Sequence, residues 1–257
     1  AEAIASIGAK VVICSIDDTL NMCPKDLKKK ITKKTKAIIP VHMLGVSAKM
    51  NKIKKIANLN SVPICEDVCE AFGGEYNGKS LGLIGKCGII SFDFGKIITT
   101  GEGGAIITNS KKIYNFAKEY HDHGHTNKSL QRGNDPAMIF GFNYRMTNLQ
   151  AAVGCAQMER LDLLVGRRRE IRAIYDEGLA GVPGLAPFPN VSWADSACWI
   201  SGFVADDSAR ADAARQALLA ANFRAVPFWK PMHLQLPYLE CLRADLGVTD
   251  DLWYRIV

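Results

Sequence analysis

The stretch Cys87–Thr108, CGIISFDFGKIITTGEGGAIIT, is the part of the sequence that is most informative about the fold. Its two apolar runs, Cys87–Phe94 and Ala105–Thr108, predict buried strands because they are short, rich in Ile and bounded by Gly and Thr. Between them a single lysine, Lys96, leaves the first strand and enters a turn rich in Gly and Thr. Partial burial lowers the pKa of a lysine and makes its amine nucleophilic, and nearby hydroxyls and glycine N–H groups suit a phosphate. The alternative interpretation is a surface lysine on a glycine-rich hairpin.

The residues before this stretch repeat the same alternation of strand and helix. Further buried strands are predicted at Lys10–Ile16, Lys36–Met43 and Val62–Asp67, and a helix capped by Ser47 is predicted to run through Asn58. Strand, helix, strand is typical of a mostly parallel sheet covered by helices, an α/β fold in three α/β/α layers. Functional residues of such sheets gather at the carboxyl ends of the strands, which points to Asp67 and to the segment after Phe94.

The residues after this stretch predict a second, smaller unit. The predicted elements are a helix from Ser110 through Tyr120, a helical stretch from the capping box Thr147–Gln150 to Leu179 with a break at Gly166, a strand Cys198–Val204, a helix Arg210–Asn222 and a strand Arg224–Phe228. We therefore expect a large domain over residues 1–165. A linking helix and a smaller α+β domain are expected over residues 166–257.

Composition excludes several classes of protein. Hydrophobic residues make up 48% of the 257 residues and the net charge is only +6, so the chain is not disordered. The apolar runs are far shorter than the ~20 residues of a membrane span, so no membrane partner is expected. Lysine clusters such as Lys28–Lys30 lie on helical patterns without interleaved aromatic residues, and no nucleic-acid partner is expected. The eight thinly scattered cysteines indicate a reduced, cytoplasmic setting.

Two local motifs match a phosphate-binding loop and a metal site only in part. Gly73–Ser80 matches the phosphate-loop pattern GxxxxGK[ST], but the glycine-rich segment after it cannot start the helix that such a loop needs, so a tight hairpin is expected. His121, His123 and His125 alternate as metal ligands could. They directly follow a helix and lack partner ligands at suitable spacing, so substrate contact or helix capping is favoured and no metal is expected.

Three ordered motifs together resemble one family. SFDFGKIITTGEGG at Ser91–Gly104, preceded by EDVCEAFGG at Glu66–Gly74 and followed by GFNYRMTNLQAAVG at Gly141–Gly154, resembles the DegT/DnrJ/StrS family of pyridoxal-phosphate-dependent sugar aminotransferases. The resemblance extends over nearly the whole chain and is weakest from about Pro183 onward. It implies the fold of type I pyridoxal-phosphate enzymes and the cofactor pyridoxal 5'-phosphate.

The resemblance also assigns roles to individual residues. Lys96 is implied to hold the cofactor covalently and to shuttle the proton, and Asp67 to pair with the protonated pyridine nitrogen. Ser91 is implied to donate its hydroxyl to the cofactor phosphate. Asn143 is implied to reach the phosphate in the neighbouring subunit's site, which predicts a homodimer with shared active sites. Because Lys96 is present, the related sugar dehydratases that have His at this position are disfavoured.

Three further residues are predicted members of the site. Glu70 stands where the family often has Gln or His, beside the cofactor phenolate, so its carboxyl must be protonated or turned away to avoid repulsion. Arg145 is a structural or a substrate partner, and His125 a substrate contact. The resemblance further implies that both ends of the family's chain are missing here, so that the sequence is an internal fragment.

The function implied is transfer of an amino group, usually from glutamate, to a keto-sugar that is nucleotide-linked or a sugar acid. The product would feed polysaccharide or secondary-metabolite sugar synthesis. The alternative from another class is a non-catalytic relative that binds the cofactor or a sugar as a sensor or scaffold. Lys96 together with Asp67 favours the enzyme, because a mere binder does not need that pair.

Overall fold

A computed structural model describes residues 1–125, 136–243 and 245–257. Its α-helices are α1 (Glu2–Ser6), α2 (Pro24–Lys30), α3 (Met50–Leu59), α4 (Lys111–Tyr120), α5 (Asn148–Met158), α6 (Leu161–Leu179), α7 (Ser208–Ala220) and α8 (Gly247–Leu252). Its strands are β1 (Val12–Ile13), β2 (Cys65–Asp67), β3 (Glu75–Tyr76), β4 (Lys79–Ser80), β5 (Cys87–Ser91), β6 (Gly104–Ile107), β7 (Leu185–Pro187), β8 (Ala194–Asp195), β9 (Phe203–Ala205) and β10 (Leu242–Arg243).

The sheet that contains the stretch Cys87–Thr108 has both parallel and antiparallel pairings. β2 and β5 are parallel, with Asp67 opposite Ile89, and β5 pairs antiparallel with β6, with Ser91 opposite Gly104. The predicted strand Lys36–Met43 joins β2 only through isolated parallel bridges, among them Val41 to Asp67. Pro40 lies inside this segment and has no N–H to donate, which shortens the ladder. The two parallel strands therefore end side by side, at Asp67 and at Ser91.

Two predicted helix boundaries are wrong. Ser47 does not cap α3, because its hydroxyl donates to the carbonyl of Ala48 and the helix begins at Met50. Gly166 lies inside the continuous helix α6, and the break comes earlier, between α5 and α6. A glycine within a helix costs only about 1 kcal/mol relative to alanine, so the packing of a long helix overrides it.

The C-terminal strands also differ from the prediction. The predicted strand Cys198–Val204 is reduced to β9, because Cys198 has a left-handed backbone (φ 49°) that no regular strand contains. The segment Arg224–Phe228 is not a strand, and its Pro227 lacks a ladder donor. The helix predicted from Arg210 begins at Ser208, where the carboxylate of Asp207 accepts from the backbone N–H of Arg210.

The segment that matches the phosphate-loop pattern is a hairpin. β3 and β4 pair antiparallel, and the two residues between them, Asn77 and Gly78, have φ of 47° and 72°. Positive φ at both positions is the geometry of a type I′ turn, which Asn-Gly favours. The hairpin prediction is confirmed, and the next regular element is the strand β5.

Two apolar clusters form the core. The first packs α3 against β2 and β5, with Met50, Ile53, Ile64 and Ile90 among its buried members. The second joins residues from both parts of the chain: Leu44, Ile97, Ile98, Val165, Phe188, Trp199 and Ile256. The C-terminal part therefore packs directly on the residues that follow Lys96, and the division into two domains at residue 165 stays a prediction.

Candidate functional site

Lys96 lies on a turn that is fixed on both sides. Its backbone N–H donates to the carbonyl of Asp93 (3.0 Å), and the next two residues, Ile97 and Ile98, are buried in the second apolar cluster. The side chain itself is half-buried, and its Nζ lies 4.2 Å from the centroid of the Trp199 ring. The lysine is therefore not on a free surface hairpin, which was the alternative interpretation of the sequence.

Helix α5 holds the rest of this turn. The side-chain oxygen of Gln157 accepts from the N–H of Thr99 (3.3 Å), and the side-chain amide of Gln150 donates to the carbonyl of Glu102 (3.1 Å). The predicted capping box is confirmed, since Thr147 and Gln150 bond each other's backbone N–H groups. The motif that begins α5 thus also braces the turn that contains Lys96.

Asp67 and Glu70 project from the segment that follows β2. Asp67 ends the strand, and its Oδ1 accepts from the N–H of Cys69 (3.1 Å). Glu70 bends back toward the preceding loop, where its Oε2 accepts from the N–H of Leu44 (2.8 Å). Leu44 has a left-handed backbone (φ 57°), which aims its N–H at this carboxyl.

Electrostatics show that Lys96 and Asp67 converge on the same two side chains. Burial raises the pKa of Glu70, the hydrogen bond from the N–H of Leu44 and then the charge of Lys96 lower it, and the charge of Asp67 raises it further. Burial and the hydrogen bond with Asp67 raise the pKa of the Cys69 thiol to about 12, although Lys96 opposes the shift. The predicted lysine and both predicted carboxyls therefore form one cluster, with the Cys69 thiol as a fourth, inert member.

Ser91 ends β5 beside the end of β2, at the same edge of the sheet as Asp67. Its hydroxyl oxygen accepts from the N–H of Asp93 (3.3 Å). Thr99, whose hydroxyl donates to the carbonyl of Phe92, adds a second hydroxyl to this turn. The chemistry of these groups suits the phosphate role implied for Ser91, and that role stays a prediction.

Asn143, Arg145 and His125 lie beyond the C-terminus of α4. Asn143 is exposed and forms an isolated antiparallel bridge with Asp122, and Arg145 pairs with the Asp122 carboxylate (3.1 Å). His125 bridges to Ala137. Arg145 is thus a structural partner of Asp122, whereas the substrate roles of Arg145 and His125 and the phosphate role of Asn143 stay predictions.

His121 caps helix α4, as one of the two favoured alternatives predicted. Its Nδ1–H donates to the carbonyl of Lys118 (2.6 Å). The described residues contain no group of three or more His, Cys, Asp or Glu placed to hold a metal ion. None of the described helices combines the length and apolar character that a membrane span requires.

A buried pair that includes Glu66, the residue before Asp67, was not predicted from the sequence. Glu66 and His42 are both 0% exposed, and the His42 Nε2 lies 3.2 Å from the Glu66 carboxylate. The N–H of Ala48 donates to Nδ1 of His42, so the ring proton lies on Nε2 and points to Glu66. The only signal in the sequence was the acidic pair Glu66-Asp67, of which just the second residue was assigned.

Glu66 also accepts three backbone N–H groups from the loop before β5. The donors are Gly82 (3.0 Å), Ile84 (2.7 Å) and Gly85 (2.5 Å). Burial by itself raises the pKa of Glu66, but the bonds from His42, Gly85 and Gly82 outweigh it, and the pKa lies below its usual value. An ionised carboxylate therefore ties the glycine loop to the strand that ends at Asp67.

A mostly apolar cavity of about 600 Å³ reaches Asp67 from the C-terminal side. Met43, Trp229 and His233 are among its walls, and Lys96 is not among the described residues that line it. Asp67 therefore belongs both to the cavity wall and to the cluster around Lys96.

Asp67 ends one of two parallel strands and the turn that contains Lys96 follows the other, which is the arrangement of an α/β protein with a lysine-centred site. The family model for the DegT/DnrJ/EryC1/StrS aminotransferase family matches residues 1–257. The chain belongs to this aminotransferase family, which confirms the resemblance.

Individual relatives agree with this assignment. GDP-perosamine synthase of Caulobacter vibrioides is 35% identical over 263 residues, which cover 97% of this chain and 67% of the relative. The putative pyridoxal phosphate-dependent aminotransferase EpsN of Bacillus subtilis is 34% identical over 260 residues, which cover 95% of this chain and 65% of that protein. The chain spans about two thirds of the length of these curated relatives.

A solved structure confirms the fold class. Helicobacter pylori PseC, an aminotransferase involved in the biosynthesis of pseudoaminic acid, matches with a TM-score of 0.93 at 25% identity, over 100% of this chain and 69% of that chain. The α/β fold predicted from the strand and helix pattern is therefore the fold of a known aminotransferase.

Proposed function

We propose that the chain carries the active site of a pyridoxal-phosphate-dependent sugar aminotransferase. The observation that supports this most directly is the cluster in which Lys96 and Asp67 act on the same two side chains, Glu70 and Cys69. An amine that can form a covalent bond and a carboxylate that can hold a proton are the two groups this chemistry requires. Their convergence sets this site apart from a mere binding surface.

The residues present fit pyridoxal 5'-phosphate. The cluster supplies an amine for the aldehyde and a carboxylate for the pyridine nitrogen, and Ser91 supplies a hydroxyl for the phosphate. The relative EpsN is named as pyridoxal phosphate-dependent. When bound, the cofactor supplies an electron sink for the carbon that loses its proton.

Each residue of the cluster then has a separate task. Lys96 anchors the cofactor and moves a proton through its Nζ, and Asp67 keeps the pyridine nitrogen protonated. Glu70, whose pKa is raised, is the carboxyl most readily kept neutral beside a phenolate. The buried pair Glu66–His42 fixes the strand end from which Asp67 projects.

The substrates proposed are an amino acid donor, glutamate, and a keto-sugar that is nucleotide-linked or a sugar acid. The reaction exchanges the amino group of the donor for the carbonyl oxygen of the sugar, so the donor leaves as its 2-oxo acid. The names of GDP-perosamine synthase and of PseC support a sugar acceptor. The amino-sugar product would serve polysaccharide or secondary-metabolite synthesis.

We further propose a homodimer with shared active sites, located in the cytoplasm. Asn143 is exposed on a loop beside the exposed rings of Phe142 and Tyr144, which stack on each other. Helix α5 has no buried residue, and its Leu149 is largely exposed. A second copy of the chain would cover these apolar groups, and the eight free cysteines suit a reducing compartment.

The test is the glutamate half of the reaction. The protein is loaded with pyridoxal 5'-phosphate and mixed with glutamate, and visible absorbance and 2-oxoglutarate are recorded. We expect loss of the visible band of the lysine-bound cofactor together with one 2-oxoglutarate per site. A band that does not respond to glutamate or to other amino acids would favour the non-catalytic sensor or scaffold.

A further inference from the structure

Trp199 contacts two consecutive residues of the lysine turn. Its indole N–H donates to the carbonyl of Gly95 (2.8 Å), and the Lys96 Nζ lies 4.2 Å from its ring centroid. One side chain from the C-terminal part therefore fixes both the backbone before the lysine and the ammonium group at its tip. An ammonium at this distance from an indole face is held by the ring quadrupole.

The Trp199 ring is itself fixed. It is only 8% exposed, and the carbonyl of Trp199 accepts from the Arg168 guanidinium. Trp229 stacks on the Trp199 ring, with centroids 5.6 Å apart and planes 15° apart. Because the Trp199 ring is packed on several sides, it cannot move together with the Lys96 side chain, and it therefore restricts the position of that side chain.

A second lysine in the same molecule shows why this contact is unusual. Lys49 lies 5.4 Å from the centroid of Trp193, but it also pairs with Asp17 (3.0 Å) and Asp18 (3.5 Å). Within the described ranges, no carboxylate lies at ion-pair distance from Lys96. The indole ring therefore contacts the Lys96 ammonium without a competing ion pair among the described residues, and the charge of Lys96 also acts on Glu70 and Cys69 in the segment after β2.

We propose that Trp199 is a positioning residue for Lys96. Its ring contacts the ammonium and its N–H fixes the preceding carbonyl, so that the amine is held in one orientation. This proposal rests on the proposed function, because orientation matters only if Lys96 is the reactive amine.

The first test reads the contact in the cofactor-free protein. Lysines are dimethylated reductively with ¹³C-formaldehyde, and the Lys96 methyl signal is identified by its absence in Lys96→Arg. We expect this signal to lie upfield of the exposed lysines because of the Trp199 ring current. A Lys96 signal at the position of exposed lysines overturns the proposal, and this reading needs no tryptophan variant to fold.

The second test measures how Trp199 controls the amine. Labelling of Lys96 by trinitrobenzenesulfonate is followed from pH 7 to 10 by peptide mass spectrometry, with Lys49 in the same digest as the internal reference. In Trp199→Leu we expect labelling at pH 8 to rise about three- to tenfold, because loss of the ring removes the contact that holds the amine in place and partly covers it. Trp199→Phe keeps a ring face and should restore slow labelling.

The controls separate positioning from stability. Trp193→Leu should leave Lys49 labelling nearly unchanged, because Asp17 and Asp18 still hold that charge. An unchanged Lys96 rate in a folded Trp199→Leu variant, or a rise that Lys49 shares, overturns the proposal. Both readouts are taken without cofactor. If the glutamate assay fails while the ring-current shift is present, the proposed function alone is refuted. If the glutamate assay succeeds while the ring-current shift is absent, the positioning role alone is refuted.

Discussion

Three features surround Lys96. Two buried isoleucines follow it, an indole ring faces its amine, and two carboxyl groups lie in the same cluster. The strand and turn pattern predicted only that Lys96 follows a strand and enters a turn rich in Gly and Thr, because apolar runs and glycines are local signals. The indole could not be predicted, because Trp199 comes from a distant part of the chain and is brought there only by tertiary packing.

Asp67 is expected to decide the rate at which the substrate proton moves. We expect Asp67→Asn to slow the half-reaction with glutamate by roughly 10²–10³-fold, because a neutral amide cannot keep the pyridine nitrogen protonated. The amide oxygen can still accept from the N–H of Cys69, so the fold should be kept. Stopped-flow absorbance gives the rate, and a rate near that of the wild type would show that another group pairs with the ring.

Glu70 gives a test with a defined pH dependence. Because its pKa is raised in the folded protein, the stability it favours is present below its ordinary value near 4.5 and is lost as pH rises through the folded pKa. The Glu70→Gln variant has no titrating carboxyl and does not lose stability in this way, but its side-chain oxygen can still accept from the N–H of Leu44. We expect the variant to gain stability relative to the wild type as pH rises above 4.5.

Urea unfolding at several pH values between 4 and 8 measures this difference for Glu70→Gln. A difference in free energy of unfolding that does not change with pH would contradict the burial of a titrating carboxyl at this position. Glu75→Gln is the matched control, since Glu75 lies on the β3–β4 hairpin, away from the cluster.

Among the secondary-structure elements, the end of β2 depends on the loop that precedes β5. The loop also lies against β5, where a β-carbon on Gly88 would stand 2.6 Å from the backbone of Gly82. On the β2 side, the Glu66 carboxylate binds the loop N–H groups. The position of Asp67 thus depends on a strand, a glycine loop and one buried charge.

We expect Glu66→Gln to destabilise the protein by about 3–5 kcal/mol at neutral pH, because it breaks a buried, charge-assisted network. The pKa of Glu66 is lowered in the folded state. Its contribution is therefore present above the ordinary value of 4.5 and is lost as pH falls through the folded pKa. The destabilisation should accordingly shrink below pH 4.5. Thermal or urea unfolding across this range measures it, and an equal loss at all pH values would contradict an ionised Glu66.

Helix and strand prediction succeeded where the signal was local. The Thr147–Gln150 capping box was predicted from side chains that bond their own neighbours. The hairpin within Gly73–Ser80 was predicted because the glycine-rich segment after it cannot start a helix. Ser47 and Gly166 misled because long-range packing decided where those helices begin and end. The same reason hid the pair Glu66–His42, whose members lie on different segments.

For the whole molecule, the question is how two chains would share a site. We expect Asn143→Ala to weaken cofactor binding by about one to two orders of magnitude, since an amide donor to a phosphate contributes roughly 1.5–3 kcal/mol. The loop is rigid enough for this role, because Phe142 and Tyr144 bond the backbone of Tyr120 and His121. Titration with the cofactor, followed by absorbance, measures the affinity.

Mixing two variant subunits shows whether Asn143 acts in the active site of its own chain or in that of the partner subunit. A dimer of one Asn143→Ala and one Lys96→Ala subunit has, if sites are shared, one doubly defective and one intact site. Activity at limiting cofactor should therefore reappear on mixing. Proven subunit exchange without recovery would mean that Asn143 serves its own chain.

Reductive trapping of the bound cofactor tests most directly whether Lys96 is the only lysine that binds it covalently. The protein is incubated with pyridoxal 5'-phosphate, reduced with borohydride and digested, and the modified lysine is located by mass spectrometry. We expect one phosphopyridoxyl group per chain, on the peptide that contains Lys96, and neither this label nor any turnover in Lys96→Ala. A label spread over surface lysines such as Lys28, or turnover that survives in Lys96→Ala, would contradict this expectation.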